Sequence, residues 1–152
     1  MQKQVTTKFL KATLGFLAIM FALNSCNQKP SKEAQEFNSL IKEVLAVHDE
    51  VMPKMGEMGK LSSELKAKAD TTEAGKIYRK ALDSLGNAHD AMMKWMENFS
   101  TKFPYAKDRL KGKSTEDILN DIETLKDEQR QVYHVRDAVK GSIENAKNVL
   151  AQ

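Results

Sequence analysis

Three long stretches of this chain carry apolar residues whose spacing alternates between three and four. Because an α-helix has about 3.6 residues per turn, these residues form a stripe along one helix face, and a seven-residue repeat is typical of coiled coils. The stripes predict helices over about residues 33–69, 71–103 and 115–150. No segment shows the alternation of apolar and polar residues that marks a half-buried strand. The sequence therefore predicts an all-α fold, an antiparallel three-helix up-down-up bundle with coiled-coil-like packing.

Local signals predict where these helices begin, end and bend. The segments Asp70–Glu73 (DTTE) and Ser114–Asp117 (STED) each offer a capping side chain followed three residues later by an acidic one. Pro104 ends the second helix. Pro53 stands inside the first helical pattern, where its ring removes a backbone donor and crowds the carbonyl of Asp49. The sequence therefore predicts a kink or break at Pro53.

The N-terminal residues follow a different pattern from the helical part. A lysine-bearing start precedes the apolar run ATLGFLAIMFAL, which extends from Ala12 to Leu23. This run has the length of a signal-peptide core and is shorter than the about 20 apolar residues of a membrane-spanning helix. The next segment, Leu23–Cys26 (LNSC), resembles the lipobox of bacterial lipoproteins. The predicted division is a signal peptide over 1–25, an acylated cysteine with a tether over 26–32, and the bundle over 33–152.

The lipobox resemblance implies a location and a membrane partner. It implies cleavage before Cys26, a diacylglyceryl thioether on the Cys26 sulfur and an acyl group on its amine. Three acyl chains hold a protein permanently, whereas a single chain binds reversibly. We therefore expect lipidation at Cys26 and a place in the bacterial cell envelope, anchored to the inner or outer membrane and facing the periplasm.

Charge and motif content argue against several functions. Three of the 24 Lys and Arg lie in the signal peptide, so the rest of the chain carries 21 of them against 21 Asp and Glu. A formally neutral chain has no excess positive charge to attract nucleic acid, and we expect no nucleic-acid partner. Cys26 is the only cysteine, so none remains for thiolate chemistry. Because the chain has no phosphate-binding glycine loop, Gly-x-Ser-x-Gly or His-Glu-x-x-His motif, we expect no enzyme activity.

Two of the three histidines open similar segments. HDEVMPKM begins at His48 and HDAMMKWM begins at His89, and each places methionine four and seven residues after the histidine. Residues at these spacings share one face of a helix. If the first two helices fold back about a turn near Asp70, His48 faces Met92 and His89 faces Met52. Both histidines and all six methionines that follow the signal peptide then lie at one level of the bundle.

This arrangement predicts a soft-metal site. Thioether sulfur selects Cu(I), imidazole accepts copper in either oxidation state, and neither requires a cysteine. The candidate metal ligands are His48, Met52, Met55, His89, Met93 and Met96. Asp49 and Asp90 are the candidate hydrogen-bond acceptors for the histidines, because a ligating imidazole usually donates its other N–H to an oxygen. A b-type haem held by His and Met ranks below copper, because three helices enclose a porphyrin less easily than four.

A structural interpretation competes with the metal site and is favoured over any single functional one. Methionine fills irregular gaps in cores, and a hydrogen-bonded polar layer, here including Gln129, can determine helix register. The protein would then be a structural or adaptor lipoprotein with a protein partner in the envelope. Trp95 is expected off the apolar stripe and partly exposed, where a tryptophan is more often a packing residue than a recognition residue, although exposed tryptophan is also a common interface anchor.

The two His-Met segments and the three-helix pattern also resemble an uncharacterised group of small helical lipoproteins from Gram-negative bacteria. Some of these are automatically labelled viral A-type inclusion proteins. The resemblance implies a lipoprotein with long, coiled-coil-like helices, and it implies no activity and no functional residues. We therefore expect a non-catalytic binding module, with copper binding as one hypothesis and an adaptor role as the alternative.

Overall fold

A computed structural model describes residues 30–104 and 108–152. The described part contains helices and turns but no strands, and its helices are α1 (Lys32–Val51), α2 (Lys54–Lys68), α3 (Glu73–Lys102) and α4 (Thr115–Leu150). Because α1 and α2 together form one bent helix, the predicted all-α fold of three helices is confirmed. The predicted signal peptide and Cys26 lie outside the described residues. Within 30–104 and 108–152, no helix is long and apolar enough to cross a membrane.

The bend in the first helix lies at Met52 and Pro53. Pro53 has helical dihedral angles, φ −61° and ψ −23°, but it has no N–H to donate to the preceding turn. The Met52 N–H still donates to the His48 carbonyl at 2.9 Å, whereas the Met55 N–H donates to the Met52 carbonyl at 3.1 Å in a tighter turn. The predicted interruption at Pro53 is therefore confirmed.

Four polar pairs join the bent helix to α4. Their members are separated by 90 residues in sequence, and successive pairs are seven residues apart on both helices. The pairs are Glu36–Lys126 (3.1 Å), Glu43–Tyr133 (2.7 Å), Glu50–Lys140 and Glu57–Lys147 (2.6 Å). A constant separation is the pattern of two helices that run in the same direction with matching heptads. Because the pairs continue from α1 into α2, the bend preserves the register with α4.

The contacts between α1 and α3 follow the opposite order. Phe37, early in α1, contacts Phe103 just beyond α3, with ring centroids 6.3 Å apart. His48, late in α1, contacts Trp95 earlier in α3, with ring centroids 6.1 Å apart. Contacts that move backward along one helix as they move forward along the other are the pattern of a helical hairpin. Large aromatic side chains therefore fill the space between α1 and α3.

Hydrogen bonds at the starts of α3 and α4 test the predicted caps. Ser114 Oγ accepts from the Asp117 N–H at 3.2 Å, and Asp117 Oδ2 accepts from the Ser114 N–H at 3.3 Å, so the capping box before α4 is confirmed. Before α3, the capping residue is Thr72 and not Asp70, because Thr72 Oγ1 accepts from the Gly75 N–H at 3.0 Å. Asp70 supports the turn instead, since its Oδ1 accepts from the Thr72 N–H at 2.9 Å.

The apolar stripes of all helices meet in one continuous core. On α4, Gln129 and Arg136 are only half-buried, although both were predicted to lie on the stripe. The buried polar position is the neighbouring Glu128, which is wholly inaccessible to solvent. Because α4 packs against both α3 and the bent helix, it buries a wider stripe than the single seam of a two-stranded coiled coil.

Candidate functional site

His48 lies near the end of α1, on the side that faces α3. Its side chain is 25% exposed. Its Nδ1 lies 2.9 Å from Asp49 Oδ1, and its Nε2 lies 3.2 Å from the Sδ atom of Met96 in α3. Two predicted ligands, one from each His-Met segment, are therefore in direct contact.

The Asp49 contact determines what the second ring nitrogen of His48 can do. An ionised carboxylate only accepts hydrogen bonds, so His48 Nδ1 carries the hydrogen and donates it to Asp49. In the neutral ring, Nε2 then carries a lone pair that faces the Met96 sulfur at 3.2 Å. Two facing lone pairs are favourable only when a proton or a cation lies between them. The 3.2 Å contact is a hydrogen bond from Nε2–H to sulfur when the ring carries that proton, and without the proton it places a nitrogen donor beside a sulfur donor, the two ligand types that a soft cation accepts.

The partner of His48 differs from the predicted one by one helical turn. His48 contacts Trp95 and Met96, whereas the predicted partner Met92 is fully buried in the core. The predicted hairpin turned at Asp70, but α3 begins only after Thr72. The shift is confined to the part of the helices near the turn, because Phe37 contacts Phe103 as a turn at Asp70 would predict.

The methionines of the first segment lie along the bend. Met52 and Met55 are half-buried and Met58 is buried. Met52 follows His48 by one helical turn, and its N–H donates to the His48 carbonyl at 2.9 Å. Residues at this spacing lie on the same helix face, so Met52 is the predicted sulfur ligand closest to His48 along this helix.

The second segment has the same local hydrogen bond in a more exposed place. His89 Nδ1 lies 3.2 Å from Asp90 Oδ1, and the His89 side chain is 49% exposed. Met93 is 47% exposed, whereas Met96 is half-buried. The prediction that His89 lies on the buried stripe is wrong, because the buried face of α3 is formed by the neighbouring residues. The two segments therefore place their histidines in different environments despite their similar sequences.

Trp95 is buried, with 3% of its surface exposed, so the prediction of a partly exposed tryptophan is wrong. Its ring stacks on Phe99 at 5.1 Å, and Phe99 contacts Phe103 at 5.3 Å. Phe103 in turn contacts Phe37 of α1, which completes a row of aromatic rings between the helices. This row ends at His48 and limits where its imidazole can move.

Sequence reasoning missed two buried acidic residues on α4. Glu128 is 0% exposed and accepts from Lys102 Nζ at 2.6 Å. Asp121 is 8% exposed and accepts from Arg109 Nε at 2.9 Å and from Lys113. Burial raises the pKa of the Asp121 carboxyl, but the hydrogen bonds from Arg109 and Lys113 outweigh it and hold the pKa below its ordinary value. Asp121 and Glu128 are seven residues apart, next to the apolar stripe of α4, and this spacing was the one sequence signal that both lie on its buried face. The spacing does not identify their basic partners.

A metal ion at this position would depend on thioether sulfur. Across residues 30–104 and 108–152, no group of three or more His, Cys, Asp or Glu side chains could hold a metal ion. That finding concerns nitrogen, oxygen and thiolate donors, whereas the contact between His48 and Met96 pairs an imidazole with a thioether.

The fold and this contact define a helical bundle with a candidate nitrogen-sulfur donor pair between its first and second long helices. Comparisons with protein-family models, with curated proteins and with solved structures found no match.

Proposed function

We propose that this protein is a non-catalytic, lipid-anchored helical bundle of the bacterial envelope that binds Cu(I). The observation that carries the metal proposal is the 3.2 Å contact between His48 Nε2 and Met96 Sδ, with Asp49 holding the other ring nitrogen. The lipobox-like segment that ends at Cys26 supports the anchor and the location.

The distance between the two donor atoms suits a small cation after a slight opening. Bonds of about 2.0 Å to nitrogen and about 2.3 Å to sulfur, as at zinc sites, separate the two ligand atoms by about 3.5 Å at a tetrahedral angle. The observed separation of His48 Nε2 and Met96 Sδ is 3.2 Å, so an opening of about 0.3 Å is needed. The unbranched methionine side chain has enough rotatable bonds to provide it.

The other donors nearby are also soft. Met52, one turn beyond His48, is half-buried and supplies a third ligand from the same helix face. A thioether-rich set with one imidazole favours Cu(I) over zinc, which prefers thiolate and several nitrogen ligands. Haem fits the pair less well, because axial ligands lie on opposite sides of the iron with the porphyrin between them. Nitrogen and sulfur already 3.2 Å apart leave no room for that plane.

A Cu(I) titration tests this proposal. Residues 27–152, which include the compact unit Lys32–Gln152, would be titrated without oxygen against a coloured Cu(I) chelator. We expect one tightly bound equivalent, and we expect His48→Gln and Met96→Leu each to weaken binding by about tenfold or more, equivalent to about 1.4 kcal/mol. Circular dichroism of each variant checks that the helices remain formed.

Matched controls separate ligand loss from general effects of substitution. Met58→Leu changes a buried methionine in α2, and His134→Gln changes an exposed histidine in α4. Both controls should keep the affinity of the unchanged chain. The metal proposal is wrong if the folded chain binds no Cu(I), or if the controls lose as much affinity as His48→Gln and Met96→Leu.

The adaptor alternative has less support from the described residues. The large apolar side chains with clear exposure are Leu45, Ile77, Met93 and Leu119, each between 40% and 48% exposed. They belong to three different helices, and singly exposed apolar residues are ordinary on protein surfaces. The burial of Trp95 also makes its side chain inaccessible as an interface anchor, so its packing interpretation is the better supported one.

A further inference from the structure

We propose that His89 and Met93 form an exposed exchange site through which Cu(I) enters and leaves the pair formed by His48 and Met96. This inference rests on the proposed copper binding and adds the route by which the ion exchanges with solution. It gives the second His-Met segment a role of its own, distinct from holding the bound ion.

Exposure separates the two donor pairs. The side chains of His89 and Met93 are 49% and 47% exposed, whereas that of His48 is 25% exposed and Met96 is half-buried. An ion delivered by another molecule meets the exposed donors first. Ligands that remain largely in water hold an ion more weakly than a partly buried pair, since water competes for every coordination position.

The exposed donors His89 and Met93 lie in line with the half-buried Met96. His89, Met93 and Met96 follow one another at intervals of four and three residues on α3, so all three share one flank of the helix. Neighbours at these intervals have Cβ atoms about 5–6 Å apart. One cation can therefore contact two successive donors at once, and the last donor, Met96, already touches His48 Nε2.

The second segment also carries the group that orients its histidine. His89 Nδ1 donates to Asp90 Oδ1 at 3.2 Å, which leaves Nε2 as the nitrogen available to an ion. This matches the hydrogen bond between His48 and Asp49. In the exposed segment this arrangement suits the capture of a Cu(I) ion from solution, because the lone pair of His89 Nε2 is accessible to it.

The transfer is a ligand exchange with no change in oxidation state. The bond from copper to His89 Nε2 breaks as a bond to the Met96 sulfur forms, and the bond to the Met93 sulfur is then replaced by one to His48 Nε2. Copper stays Cu(I) throughout and no proton or electron is transferred. Because each new bond forms as an old one breaks, the ion is never without protein ligands.

Such a route has a kinetic signature. A site that the ion only passes through lowers the barrier in both directions, so its loss slows loading and removal by the same factor. A residue that holds the bound ion behaves differently, since its loss speeds removal. Rates in the two directions therefore distinguish an exchange site from a ligand of the bound ion.

Stopped-flow measurements of loading and removal test the inference. Cu(I), supplied as a coloured bis-chelate complex, would be mixed with the chain and with its His89→Gln, Met93→Leu and Met96→Leu variants, and then withdrawn with excess chelator. We expect His89→Gln and Met93→Leu to slow loading and removal alike, by about tenfold, equivalent to about 1.4 kcal/mol. We expect Met96→Leu to speed removal, and His134→Gln to leave both rates as they are.

The outcomes separate this inference from the copper proposal. Unchanged rates in His89→Gln and Met93→Leu would overturn the exchange route while the binding at His48 and Met96 stands. Faster removal in those two variants would also overturn it, since they would then be ligands of the bound ion. Failure of the unchanged chain to bind Cu(I) would reject both proposals.

Methionine methyl signals in NMR spectra provide an independent readout. With less than one equivalent of Cu(I), the Met96 methyl should show separate free and bound signals, because the ion stays there for long periods. The Met93 methyl should instead broaden or shift gradually, because the ion visits it briefly. Separate bound signals for Met93 would contradict the exchange role.

Discussion

Removal of the Lys102 ammonium group should destabilise the bundle, although the lysine itself lies near the surface. Its side chain is 45% exposed, whereas its partner Glu128 is 0% exposed, and the two are 2.6 Å apart. The Lys102→Met substitution keeps most of the aliphatic stem and removes the charge. The Glu128 carboxylate would then be buried with no hydrogen bond, because its Oε2 already has no partner among the described residues.

The magnitude follows from the burial of the two partners. Removing one member of a buried ion pair typically costs about 3–5 kcal/mol. Water can reach the place of the half-exposed Lys102 head group, so we expect a loss of about 2–3 kcal/mol in the free energy of unfolding. Glu128→Met removes the charge that requires a partner. We therefore expect the free energy of unfolding of this variant to equal that of the unchanged chain or to exceed it by up to about 2 kcal/mol.

Urea unfolding of these variants tests the prediction. Trp95, the only tryptophan, is buried in the core and reports tertiary structure by its fluorescence, while circular dichroism reports the helices. Lys94→Met, at an exposed position on the same helix, is the control and should change stability by less than about 0.5 kcal/mol. Equal effects of Lys102→Met and Lys94→Met would refute the reasoning. A loss in Glu128→Met as large as that in Lys102→Met would refute it as well.

Two further predictions concern the turn before α3 and the start of α4. A Cβ atom at Gly75 would lie 2.6 Å from the backbone nitrogen of Asp70, so Gly75→Ala should lower the free energy of unfolding by about 1–3 kcal/mol, measured in urea. The hydrogen bonds from Arg109 and Lys113 keep the pKa of Asp121 low. A carboxyl with a lowered folded-state pKa contributes stability above its unfolded pKa of about 3.9 and loses it as pH falls through the folded value. The stability difference between the unchanged chain and Asp121→Asn should therefore shrink below about pH 4, and a pH-independent difference would contradict this.

Much of the fold was predictable because its causes are local. The three long helices, the capping box at Ser114–Asp117 and the interruption at Pro53 all depend on residues within about two helical turns of each other. Each of these predictions is confirmed. The capping residue of α3 was misplaced, because Asp70 and Thr72 both accept hydrogen bonds in that turn and the local pattern does not decide between them.

The candidate site was predicted in composition but not in arrangement. The sequence selected His48, Met96 and Asp49, and the structure brings these three together. It selected His89 and Met93 by the same pattern, yet both are about half exposed. Identical spacing places residues on one face of a helix, but it does not say how far that face is rotated from the core.

The sequence by itself determined that this chain forms long amphipathic helices and that two histidines stand near several thioethers. The lipobox-like segment and its anchor remain predictions. Only the tertiary structure decided that His48 turns toward Met96 while His89 faces solvent, and that Glu128 is buried beside Lys102, 26 residues away in sequence. The physical reason is that an apolar stripe specifies a helix face only to within part of a turn. The residues at its edges become buried or exposed according to how two other helices pack against them.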